Sequence, residues 1–145
     1  MLLGKSYLSA AVVIPHHNKD IFLQLRDNKK GIFYPNHWGC FGGALENNEF
    51  YIQAAIREFY EETNIKLKKN KLKLFISKEY NIKKLKFKRK YFFYKLSDKK
   101  IFLNKFILNE GKKGEFISVK NFYKLKNVCP YDKFAIDYFF ENILR

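Results

Sequence analysis

The 145 residues read as an α/β protein in which a mixed sheet is covered by helices on both sides. Strand-like and helix-like stretches alternate along the chain, and several neighbouring strands are joined by hairpin-like turns; that combination favours a mixed sheet between helical layers. The length is that of one domain spanning 1–145, and with 47% hydrophobic and 19% aromatic residues the chain can bury a substantial core.

The elements follow in order. Tyr7–Ile14 and Ile21–Arg26 read as strands joined by the turn-prone His17-Asn18-Lys19-Asp20. A loop carrying Gly31, Pro35 and Gly39 leads to a short strand through Phe41-Gly42-Gly43 to Leu45. A helix is expected from Glu49 to Thr63, with Asn48 as its N-cap and Glu49 at the positive end of the dipole. Asn64 suits a left-handed helix exit. Strands are expected over Leu72–Tyr80 and Leu85–Leu96, the second alternating through Leu85, Phe87, Arg89, Tyr91 and Phe93. A Gly-flanked segment from Glu110 to Ser118 precedes a final helix from Tyr131 to Leu144.

The formal charge of +15 would ordinarily suggest a polyanionic partner. Only four of the 29 basic residues are Arg, however, and the Lys excess accompanies abundant Asn, Ile, Phe and Tyr. That skew is what AT-rich coding produces, and it reads as a solvated Lys surface with no specific nucleic acid as partner. Cys40 and Cys129 are too few and too far apart in sequence for a disulfide framework, which makes a reducing cytoplasm the expected setting. The apolar run Leu8–Ile14 ends at Pro15-His16-His17 and falls short of the ~18 residues of a membrane span, so it reads as a buried strand, with no membrane partner expected. His16, His17 and His37 lack metal-ligand spacing and read as loop residues.

The helix after Asn48 carries the chemistry. At about 100° per residue, Ile52, Ile56, Phe59 and Thr63 form one stripe, while Glu58, Glu61 and Glu62 lie on the adjoining face. Glu58 and Glu62 repel each other at i, i+4, and no Lys occurs on this helix to offset them. Convergent carboxylates of this kind suit a hard divalent cation such as Mg²⁺, which takes oxygen ligands and shares them with substrate phosphates.

The run Gly43, five residues, Glu49, seven residues, then Arg57-Glu58-Phe59-X-Glu61-Glu62-X-Asn64-Ile65 resembles the Nudix box, with Asn64 where the box has Gly. The flanks resemble the same family: Trp38 to Glu46 before the box, Asn109-Glu110-Gly111 and Phe116-Ile117-Ser118 after it. Two further departures are Asn47-Asn48 in place of the frequent x-Gly before Glu49, and Phe41 where many relatives carry Pro.

The resemblance implies a MutT-like α/β/α sandwich and an Mg²⁺- or Mn²⁺-dependent hydrolase acting on a nucleoside diphosphate linked to another moiety. It implies Glu58, Glu61 and Glu62 as metal ligands with the Gly42 carbonyl as a further oxygen. Gly43, Glu49 and Asn64 are the structural positions of the box, and Arg57 would hold Glu49 and Glu61 in place. Glu61 is the first choice for the catalytic base, with Glu110 and then Glu115 as outside candidates. From the residues themselves, Arg26 follows an apolar strand and could meet a phosphate or equally pair with Asp27 or another acid; Trp38, Tyr34 and Phe33 could stack on a base or sugar, with core packing the commoner role of such residues. The expected partner is a small-molecule nucleotide, with a homodimer left open. No Pro lies between Pro35 and Pro130, so the downstream Pro of ADP-ribose hydrolases is absent, and the intact Arg57-Glu58 pair differs from the altered box of GDP-mannose mannosyl hydrolases. Tyr80 lies near a Tyr position of dinucleoside polyphosphate hydrolases. The rival readings are a catalytically silent nucleotide sensor, which should have lost box carboxylates, and a decapping-like RNA hydrolase.

Overall fold

The computed structural model describes residues 7–32, 34–82 and 84–144, with only the backbone of Tyr7 and Ile82. Strand β1 (Tyr7–His17) is the spine of a mixed sheet that has seven strands among the described residues. Its side chains alternate between two faces: Ala11 and Val13 enter one core cluster, Val12 and Ile14 the other, and all four are fully buried. Burial on both faces accounts for the unbroken apolar run that this strand shows in sequence.

Strand β1 lies parallel to β6 (Leu85–Lys95), from Tyr7 opposite Lys86 to His16 opposite Lys95. Its other edge is shared. β4 (Phe41–Ala44) pairs antiparallel with Ala10–Val13, and beyond it β2 (Asp20–Leu25) pairs at His16 and His17. β2 also pairs with the two-residue β3 (Trp38–Gly39) and with β7 (Lys113–Ser118), while β5 (Leu72–Ile82) forms an antiparallel hairpin with β6.

Helices α1 (Tyr51–Thr63) and α2 (Lys99–Lys105) cover one face. The short α3 (Val119–Phe122) and α4 (Pro130–Asn142) cover the other, which completes the expected α/β/α sandwich. Phe22 organises the α1 side, meeting Phe41 at 5.5 Å and Phe102 at 4.8 Å between ring centroids. A Phe buried to this extent contributes roughly 1.5–3 kcal/mol relative to exposure.

Four expectations change. β1 runs three residues beyond Ile14, because pairing with β6 continues to His16, whose carbonyl also accepts from the Leu96 N–H at 2.8 Å. His16 and His17 are therefore strand residues and not loop residues, and His16 is buried between Phe93 and Phe139, where burial lowers its pKa. Helix α1 begins at Tyr51, with Phe50 at the N-cap position and the Gln53 side chain accepting from the Phe50 N–H. Asn48 does not cap it; it sits in the preceding turn with φ 62°. The fourth change is that α2 and the short α3 were not anticipated from the sequence, although Asp98 and Ser118 mark them by accepting from the Ile101 N–H at 2.9 Å and the Asn121 N–H at 3.1 Å.

Candidate active site

Two carboxylates of α1, Glu58 and Glu62, lie against β4 at adjacent glycines. The buried arc of α1 includes Ala54, Ala55, Phe59, Thr63 and also Glu62, while Ile52 and Ile56 are half-buried. The core-facing side is thus turned toward the carboxylates relative to the apolar stripe. At Gly42 the N–H donates to Glu62 Oε1 at 2.9 Å. At Gly43 a Cβ would stand 2.4 Å from the Glu58 carboxylate, so only glycine lets that side chain lie against the strand.

Arg57 ties the cluster together. It donates to both oxygens of Glu49 (2.8 and 2.9 Å), to Glu58 Oε1 (2.9 Å) and to the Ala44 carbonyl (2.9 Å), and it reaches Glu61 at 3.3 Å. The Glu49 hydrogen bonds raise the Arg57 pKa and lower that of Glu49. Burial raises Glu58 despite Arg57 beside it, with Glu61 and Glu110 adding to the shift. Glu62 is pushed up to about 9, by burial first and then by the negative charge of Glu58 and Glu110. These acids repel one another within a small volume, and the cluster carries more negative charge than Arg57 balances.

Glu110 comes from 48 residues further on than Glu62 in the chain, and the C-terminal end of α1 places it. The Ile107 N–H donates to the Thr63 carbonyl, the Asn109 N–H to the Glu62 carbonyl, and the Asn109 side-chain amide to the Glu61 carbonyl, at 2.9 to 3.0 Å. Helix carbonyls left open at the last turn are met by this loop. Gly111 continues it with φ +87°, its N–H donating to Asp27 at 3.1 Å. Asn109 is a positioning residue that the sequence reading passed over; its signal was only its place beside Glu110. The result is a cavity of about 360 Å³ lined by Gly42, Glu62, Glu110, Gly111 and Arg26 among others.

A second cavity of about 530 Å³ lies on the Gly43 and Ala44 side, and Ile32 lines both. Its walls include Tyr34, Tyr80, Phe87, Arg89 and Tyr131. Of the residues expected to meet substrate, Arg26 lines the first cavity and Tyr34 the second. Trp38 lines neither; it packs against the α4-side core, with the Lys113 ammonium 5.4 Å from its ring. Phe33 lies outside the described residues. Glu61 is half-exposed beside Arg57, and Glu115 pairs with Lys113 on β7; neither lines either of these two cavities.

Residues 6–141 match the NUDIX domain family model. The chain belongs to the Nudix family. No curated protein sequence matches it. Among solved structures it is similar to a MutT protein from Methanosarcina mazei Go1 (TM-score 0.75, 16% identity, covering 98% of this chain and 99% of that one). It is also similar to an Ap4A hydrolase from C. elegans (TM-score 0.66, 21% identity, 90% and 94% coverage). A bifunctional NMN adenylyltransferase/ADP ribose pyrophosphatase from Francisella tularensis aligns over 97% of this chain with TM-score 0.71 and 20% identity, and the chain spans 43% of that protein. At these identities the likeness is one of fold.

The departures from the Nudix box have structural answers. Asn64 takes the glycine position with φ 63° and ψ 18°, its N–H donating to the Tyr60 carbonyl at 2.8 Å. Asn48, where x-Gly is frequent, is likewise left-handed, so Asn supplies the conformation that Gly would. Phe41 is fully buried and packs on Phe22 and Phe59.

As the side chains stand, no three His, Cys, Asp or Glu among the described residues converge to hold one ion. Arg57 draws Glu58 and Glu61 to itself, and Glu62 accepts from Gly42. The chemistry of the set nevertheless fits a hard divalent cation: its donors are carboxylate oxygens, and the burial and, behind it, the mutual repulsion that raise Glu58 and Glu62 disfavour a charge that a bound cation would stabilise.

Proposed function

We propose that this Nudix protein is an Mg²⁺- or Mn²⁺-dependent pyrophosphohydrolase that cleaves a nucleoside diphosphate linked to another moiety, an NTP, a dNTP or a nucleotide sugar, with water attacking phosphorus. The observation that carries the reading is that Glu62, held by the Gly42 N–H, and Glu110 line one cavity together with Arg26, with Glu58 close enough to raise the Glu62 pKa. Glu58, Glu61, Glu62 and the Gly42 carbonyl are the residues that would hold the metal. When bound, the cation supplies charge neutralisation for the phosphate chain and acidifies water.

The other groups act directly. Arg57 keeps Glu49, Glu58 and Glu61 in place and does not line the cavity. Arg26 meets the phosphate chain. Glu110 takes the proton of the attacking water on its carboxylate, in preference to Glu61, because Glu110 lines the cavity and Glu61 is turned to Arg57.

The deciding experiment is hydrolysis in ¹⁸O-water with Mg²⁺, using NTPs and nucleotide sugars, with products identified by mass spectrometry. Attack at phosphorus puts the label in a phosphate-bearing product; label in a free sugar would refute the reading. Glu110→Gln tests the base: kcat should fall about 10²–10⁴-fold with KM changed little. Glu115→Gln, which removes an acid outside both cavities, should leave kcat near wild type. If Glu110→Gln stays within a few-fold of wild type, Glu110 is not the base.

A further inference from the structure

The second cavity has a wall whose chemistry the pyrophosphohydrolase reading does not use. Arg89, on β6, extends from the sheet toward the N-terminal end of α4 and is 21% exposed. Its Nε donates to the Tyr91 hydroxyl and its Nη2 to Asp132 Oδ1, each at 2.9 Å. Asp132 has two further donors: Oδ1 also accepts from Tyr91, and Oδ2 accepts from the Cys40 N–H at 2.9 Å. The guanidinium carbon stands 4.6 Å from the centroid of the Tyr131 ring, and the Tyr131 carbonyl accepts from the Tyr80 hydroxyl at 2.8 Å. One edge of the guanidinium, Nε with Nη2, is therefore locked into the protein, and its face rests on an aromatic ring. Nη1 has no hydrogen-bond partner among the described residues, and Arg89 lines the cavity.

We infer that this free edge, Nη1 with the second hydrogen of Nη2, reads the base of the nucleotide, and that the cavity selects a 6-oxopurine. The inference rests on the nucleotide-hydrolase reading above and specifies its substrate class. A guanidinium edge offers donors only, so it demands two adjacent acceptors. The O6 and N7 of guanine or hypoxanthine provide that pair, whereas adenine places an amino donor at position 6. Asp132 could accept from an amino group, but it is buried, is bonded to Cys40, Tyr91 and Arg89, and does not line the cavity. Tyr34 and Tyr131 supply aromatic surface for the purine ring, and Gly43 and Ala44 connect this cavity to the carboxylates, so a nucleotide can place its base here and its phosphates there. Asp132 is the positioning residue, fixing the plane in which Arg89 presents its edge.

The test is calorimetric binding of nucleoside monophosphates to the wild-type chain with Mg²⁺, independent of turnover. GMP and IMP should bind alike and about 10-fold or more tighter than AMP. Replacing N7 by carbon, in 7-deaza-GMP, should remove most of that advantage, and so should 8-oxo-GMP, in which N7 carries a hydrogen. Arg89→Lys keeps the charge opposite Asp132 but cannot bridge two acceptors, and with an unchanged melting profile it should bring GMP to the affinity of AMP. Equal binding of GMP and AMP by the wild type, or indifference to the loss of N7, overturns the base assignment while leaving the ¹⁸O result intact. Absence of any phosphate labelling in the hydrolysis experiment would instead remove the enzyme reading beneath it.

Discussion

Glu62→Gln is expected to lower turnover by about 10²–10⁴-fold while making the metal-free protein more stable at pH 8. The two effects share one cause. Glu62 is 4% exposed, lies near Glu58 and Glu110, and has its pKa pushed up to about 9. An unfolded Glu titrates near 4.3. Between those values the folded chain holds a proton that the unfolded chain has released, so stability falls as pH rises through this window and is fully present only below it. Gln keeps the acceptor for the Gly42 N–H and removes the charge, and this should gain on the order of 1–3 kcal/mol, or roughly 3–10 °C in Tm. Thermal melts from pH 5 to 9 in EDTA should show the wild-type curve descending relative to the variant, and added Mg²⁺ should raise the wild type preferentially. A variant that melts below the wild type at pH 8 would mean that Glu62 is held by compensating charge and that the cluster does not await a cation.

Adjacent glycines should fail in different ways. A Cβ at Gly42 would lie 2.3 Å from the Ala11 carbonyl oxygen and 2.8 Å from the Val12 Cα, in the middle of the β1–β4 pairing, with φ +154°. Backbone cannot swing aside as a side chain can. Gly42→Ala should therefore cost about 2–5 kcal/mol, from overpacking and from a backbone conformation that disfavours a side chain. At Gly43 the Cβ would meet the Glu58 carboxylate, the far end of a flexible side chain. Gly43→Ala should keep most of its stability, within about 1 kcal/mol, and lose turnover about 100-fold or more through a displaced carboxylate, a loss comparable to removing a preorganised electrostatic group. Denaturant unfolding and steady-state kinetics on both variants check the pair; equal stability losses would show that the Glu58 carboxylate is not what Gly43 makes room for.

Local chemistry explains why much of this was legible beforehand. The apolar run of β1 announced a strand buried on both sides, and Asn64 announced its own left-handed helix exit. Arg57 was expected beside Glu49 and Glu61, and it hydrogen-bonds both. Misreadings arose where a tertiary partner outweighed a local preference. Glu49 looked like a first-turn helix acid, yet its oxygens go to Arg57 and to the Glu46 N–H, and the helix starts after it. His16 looked like a turn residue until pairing with β6 carried β1 past it.

The spacing from Gly43 to Ile65 determined the family, the alternation of strand-like and helix-like stretches along the chain determined the sheet between helices, and the helix period placed Glu58, Glu61 and Glu62 on one face, because each of these signals is local in the sequence. Only the tertiary structure decided which distant groups join them. Glu110 reaches the cluster because its loop caps the open carbonyls of Glu61, Glu62 and Thr63. Arg89 acquires one free edge because Tyr91 and Asp132, two and 43 residues away, bind the other. Helix periodicity is local and can be read from spacing, whereas these pairings depend on how the sheet brings separate segments of the chain together.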